Sequence, residues 1–193
     1  MSINLLETVQ QHLGYPVLHK IDPNTQQVTG ENQTPDENKF SQAAIPAVLT
    51  AIYKYVQADE GATQLLQGDD SVNWIDKIFN DHKKEAIQII ASYAKQSGED
   101  PVAKMNAIAT ETVKIVKTHL PENAGIKEVK AFFKNQKATI LLYLPADLNM
   151  GELLHDNTLD DNTNKMEGPV SSLIQSIGAA FSTNATEEEI KSK

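Results

Sequence analysis

The sequence predicts an all-α fold: a single compact domain of about seven helices spanning residues 1–181. Three observations predict it. Apolar residues recur at spacings of three and four in each long segment. No stretch alternates apolar and polar residues convincingly enough to read as a strand. The chain has 193 residues, 40% of them hydrophobic, which is long enough to bury a core without disulfide or metal staples.

The elements follow in chain order. Ile3, Leu6, Val9, Gln10 and Leu13 lie at helical spacing, and Gly14 and Pro16 stop that helix. Residues 22–39 are almost wholly polar with two prolines, so they read as an exposed loop, either a binding loop or a tolerated insertion. Ile45, Val48, Leu49, Ile52 and Val56 form the next stripe. Pro46 fits best in a first turn, so this helix is expected to begin close to Ala43. Short helices follow around Ala62–Leu66 and Val72–Phe79, the latter containing Trp74. A helix over 82–97 is expected to close at Gly98. Asp100 and Pro101 then supply an N-cap and a first helical residue for a helix that stops before Pro121. Residues 126–144 carry one apolar stripe, Ile126, Val129, Phe133, Ile140 and Leu144. Val170–Phe181 is expected to be a short apolar helix, and 182–193 a disordered polar tail.

Composition excludes several functions. There is no cysteine, so disulfides, thiolate nucleophiles and cysteine-based zinc or iron–sulfur sites are absent. The net charge is −9, and all 17 basic residues are lysine. Base and phosphate recognition leans on arginine, so specific nucleic-acid binding is not expected. No run of apolar residues is long enough to span a membrane, and the start carries no basic, then apolar, leader pattern. A cytoplasmic location is the expectation.

The segment from Leu144 to Pro169 breaks the helical rhythm. It sets Asp147, Glu152, Asp156, Asp160, Asp161 and Glu167 against one cation, Lys165. Its asparagines favour turns, because their amides hydrogen-bond nearby backbone. The interleaved Leu148, Met150, Leu153, Leu154, Leu159 and Met166 predict that it packs on the helical body as an ordered segment. His155, Asp156, Asn157, Asp160, Asp161, Asn162 and Asn164 make the candidate interaction surface.

Asp160, Asn162 and Asn164 alternate as calcium-loop ligands do. However, Lys165 stands where such a loop needs glycine, and Ser171 where it needs glutamate, so no metal and no cofactor is expected. The chain has none of the metalloprotease, nucleophile-elbow, phosphate-loop or dinucleotide motifs. A second stripe, Lys127, Lys130, Lys134 and Lys137, has three readings: a solvated helix face, a dock for the acidic segment, or a site for an anionic partner.

Three stretches, NLLETVQQHLG, AIPAVLTAIYKYVQADEGATQLL and LPADLNMGELLHDNTLDDNTNKMEGP, together resemble the YidB-like family of small helical bacterial proteins of unknown function. The resemblance covers most of residues 3–120. Its strongest element is Ile45, Pro46 and Leu49, followed by Glu60, Gly61, Ala62, Leu65 and Leu66. It implies an all-helical cytoplasmic protein, and it assigns no activity, cofactor or catalytic residue. The expected function is non-catalytic, through contacts with a second copy or another protein. The alternative is a small hydrolase or metal-dependent enzyme built on residues 152–167. Convergence of His155, Asp156 and Asp160 on a cleft distinguishes the enzyme.

Overall fold

A computed structural model describes residues 3–22, 36–95, 101–156 and 158–159. Among these the fold is all-α, with no β-strand. The helices are α1 (Leu5–His12), α2 (Asp36–Tyr55), α3 (Asp59–Gln67), α4 (Trp74–Phe79), α5 (Lys83–Ala94), α6 (Pro101–His119), α7 (Ile126–Leu141) and the single turn α8 (Met150–Leu153). Short 3-10 turns at Asn80–His82 and Ala146–Leu148 join α4 to α5 and lead into α8. The expected features at residues 23–35, Gly98, Asp100, 170–181 and 182–193 lie outside the described residues.

The organising element is α2. Every residue from Phe40 to Ile52 is buried. A helix that is buried around its whole circumference is a core helix, not a surface one. Accordingly α2 packs against α1, α4, α5, α6 and α7. This corrects the expected start near Ala43. The helix begins at Asp36, and Pro46 lies well inside it. Proline there removes the N–H that would bond the carbonyl of Gln42. Packing on all sides outweighs that loss, because residues flanking the proline bury completely.

The buried polar side chains of α2 are satisfied. Ser41 Oγ donates to the Asn38 carbonyl at 2.9 Å, and Thr50 Oγ1 to the Pro46 carbonyl at 2.7 Å. Gln42 reaches further. Its Oε1 accepts from the His19 N–H at 2.8 Å, while its Nε2 donates to the carbonyls of His19 and Tyr143 at 3.0 and 3.2 Å. One buried amide thus ties the extended chain at His19 to the end of α7. Ile21 N–H adds a bond to the Leu142 carbonyl at 2.8 Å.

Helix ends follow side-chain chemistry. Asn4 caps α1 by accepting from the Glu7 N–H. Gly14 closes it with φ +68°, and the N–H groups of Gly14 and Tyr15 return to the carbonyls of Gln11 and Gln10. That is a Schellman motif, with glycine at the left-handed position. The α5 helix stops earlier than the sequence predicts, at Lys95, which itself adopts φ 51°. Here a lysine takes the conformation that glycine usually supplies. At the start of α7, Glu128 reaches back to the Gly125 N–H at 2.8 Å.

Candidate functional site

The described part of the acidic segment runs from Leu144 to Asp156, with Thr158 and Leu159 beyond it. Leu148, Met150, Leu153, Leu154 and Leu159 are all buried. These leucines and the methionine anchor the chain, and its polar groups are positioned from that anchor. Asn149 adopts φ 44° just before α8, a conformation asparagine tolerates better than most residues.

The α8 turn ends at His155. The N–H of His155 bonds the Glu152 carbonyl at 3.2 Å, and the N–H of Asp156 bonds the Gly151 carbonyl at 2.8 Å. This is again the Schellman pattern, with His155 at φ 49° in the place that Gly14 fills at the end of α1. The His155 side chain is exposed. It meets the His82 ring edge-on, with centroids 4.8 Å apart and planes at 75°. His82 comes from the 3-10 turn before α5, and its Nδ1 lies 3.7 Å from Glu85 Oε2.

Asp156 turns inward. Its Oδ1 accepts from the Thr158 N–H at 3.1 Å and from Thr158 Oγ1 at 2.7 Å. Its Oδ2 accepts from Lys54 Nζ at 2.9 Å, a lysine at the end of α2. The Asp156 carbonyl accepts from the Leu159 N–H at 2.9 Å. Burial alone would raise the carboxyl above its ordinary range. The hydrogen bonds from Thr158 and Lys54 outweigh it and hold the carboxyl below. At Asp147 burial raises the carboxyl above its ordinary range.

The lysine stripe divides. Lys130 Nζ lies 2.6 Å from Asp59 Oδ1, tying α7 to the first turn of α3. Lys137 donates to Thr158 Oγ1 at 3.2 Å and sits 5.3 Å from the centre of the Tyr53 ring. Lys127 and Lys134 are exposed on α7. Among the described residues the stripe meets the acidic segment through the Thr158 hydroxyl, whereas the carboxylate of Asp156 goes to Lys54.

Asn157, Asp160, Asp161, Asn162 and Asn164 lie outside the described residues. Among those described, no group of three His, Asp or Glu side chains is placed to share a metal ion. The partners that sequence reasoning missed are Lys54, Thr158 and His82. Lys54 lies 102 residues from Asp156, and no spacing rule reaches that far. Thr158 alone had a local signal: an Asp-x-Thr turn, in which the carboxylate caps the backbone two residues on.

No protein family, curated protein or solved structure matches the chain. No helix among the described residues is long and apolar enough to cross a membrane.

Proposed function

We propose that this is a non-catalytic helical domain that acts through protein contacts, chiefly with a second copy of itself, in the cytoplasm. The observation that carries the reading is the orientation of Asp156. Its two oxygens are engaged by Thr158 and Lys54. A general base or metal ligand needs a lone pair facing a reactant. This carboxylate instead fastens one segment to the central helix.

The surface supplies a second support. Val17 and Leu142 are large apolar side chains 76% and 51% exposed. They lie on neighbouring segments, which the Ile21–Leu142 backbone bond joins. Scattered apolar residues are ordinary on a surface, but two on adjoining segments mark where a partner would gain most by covering them. The YidB-like resemblance is part of the same proposal, since it implies a helical protein without assigned catalysis.

Sedimentation over a concentration series tests this. The native chain is expected to gain mass with concentration, and a Val17→Ser, Leu142→Ser double variant to remain monomeric. A native chain that stays monomeric throughout and turns over a generic ester or phosphoester, with turnover lost in Asp156→Asn, contradicts the proposal and establishes the hydrolase.

A further inference from the structure

Two of the chain's five histidines meet in space. The rings of His82 and His155 have centroids 4.8 Å apart and planes at 75°. They come from distant parts of the chain. His82 ends the 3-10 turn and stands directly before α5, whereas His155 follows the α8 turn. Both rings are open to a ligand: His155 is exposed, and the His82 side chain is 36% exposed.

Each ring is carried on a fixed support. Phe79 and Ala86 are buried on either side of the His82 turn. Leu153 and Leu154 are buried just before His155, and Asp156 just after it is fastened to Thr158 and Lys54. Two side chains already held close lose little freedom when a ligand joins them.

The ring nitrogens are free to act. Among the described residues the ring of His155 makes no hydrogen bond. Nδ1 of His82 faces Glu85 Oε2 at 3.7 Å. A carboxylate on that side favours the tautomer with the proton on Nδ1, which leaves Nε2 with a lone pair for an ion. Imidazole nitrogens bind zinc at about 2.0–2.1 Å, which sets two rings sharing one ion about 4.5–5.2 Å apart for ligand angles from square to tetrahedral. The observed 4.8 Å falls within that span, so neither backbone has to move. The steep angle between the planes also keeps the rings from stacking face to face, which would turn their nitrogens away from a shared ion.

We infer that His82 and His155 form a two-imidazole site for a divalent transition-metal ion of the zinc, nickel and copper class. Imidazole suits these ions, whereas calcium and magnesium require oxygen ligands. Water completes the shell, because no group of three His, Asp or Glu side chains among the described residues is placed to share an ion. The site is therefore an exchangeable one, and it uses none of the oxygen ligands of a calcium loop. A bound ion cross-links the start of α5 to the end of α8 and adds a third fastening beside Asp156. The residues are distinct from Val17 and Leu142, so this inference and the self-association proposed above can fail separately.

Zinc is the probe, with calcium as the control, added to the full chain. Long-range ¹H–¹⁵N spectra resolve the imidazole nitrogens of individual histidines. Zinc is expected to shift the rings of His82 and His155 saturably, at one ion per chain and micromolar concentration, and calcium to shift neither. His82→Gln and His155→Asn are each expected to weaken zinc binding at least about tenfold, since a second ligand held nearby acts at high effective concentration. Asparagine at position 155 tolerates the left-handed backbone, and circular dichroism of the metal-free variants checks that both remain folded. His12→Gln, in the His12–Glu111 pair, is expected to leave binding unchanged. Equal shifts at all five histidines, binding unaltered by either His82→Gln or His155→Asn in a folded chain, or one ion per two chains with a matching gain in mass would overturn the inference.

Discussion

The Asp156 carboxylate is held 2.9 Å from the Lys54 ammonium, across 102 residues of sequence. This contact joins the middle of the acidic segment to the end of the central helix. Thr158 closes the other side of the same carboxylate at 2.7 and 3.1 Å. Three groups from two parts of the chain thus share one charge, and the segment acquires a fixed path where it leaves α8.

The arrangement makes stability depend on pH. The folded chain holds the Asp156 carboxyl below its ordinary value of 3.8. A depressed carboxyl contributes stability above the unfolded value, and that contribution is lost as pH falls through the folded one. Denaturant midpoints of the native chain are therefore expected to fall as the pH drops from 3.8 toward more acid conditions. The Asp156→Asn variant is expected to lack this part of the acid dependence. Equal acid profiles for the two proteins would contradict the assignment.

Gln136 is a buried amide on α7 that holds the start of the chain. Its Oε1 accepts from the Leu5 N–H at 3.0 Å, and its Nε2 donates to the Ile3 carbonyl at 3.0 Å. Gln136→Leu leaves a buried N–H at Leu5 without its acceptor, which costs about 1–3 kcal/mol. Gln42→Leu strands groups on both His19 and Tyr143 and is expected to cost more. Urea unfolding of both variants checks the order, and hydrogen exchange at Leu5 is expected to accelerate in Gln136→Leu alone.

Lys95 offers a stabilising change. It is exposed and ends α5 at φ 51°. A non-glycine residue in that region costs about 1–2 kcal/mol. Glycine relieves this but loses about 0.5–1 kcal/mol of unfolded-state entropy. Lys95→Gly is therefore expected to raise stability by up to about 1.5 kcal/mol, the difference of those terms. A lower thermal midpoint in the variant would show that the lysine side chain supports the helix end in another way.

Much of the fold is legible in the sequence, and the reasons differ by element. The stripes of α6 and α7 face a core on one side only, so their period appears directly. Gly14 marks the end of α1, because glycine is the residue that a left-handed cap favours. Pro46 misleads for a physical reason: α2 is buried all round, and packing tolerates a proline that an exposed helix would reject. His155 and Lys95 hide two helix ends, since neither residue type signals the left-handed conformation it adopts. The candidate site is less legible. His155 and Asp156 stand out as neighbours in an acidic run, but their side chains diverge, one to His82 and the other to Lys54. Long-range partners of that kind depend on how helices pack, which local spacing does not encode.

The most direct test of Asp156 as a structural carboxylate is a double-mutant cycle with Lys54. Stabilities of the native chain, Lys54→Met, Asp156→Asn and the double variant are measured by urea unfolding at neutral pH. The cycle isolates the pair's own interaction from the loss of either side chain alone. One end of the pair is open to solvent, which limits the coupling to about 0.5–1 kcal/mol. Asp156→Asn is expected to be less stable than the native chain, and the two single changes to be less than additive. Additive effects, together with an Asp156→Asn chain as stable as the native one, would contradict the account.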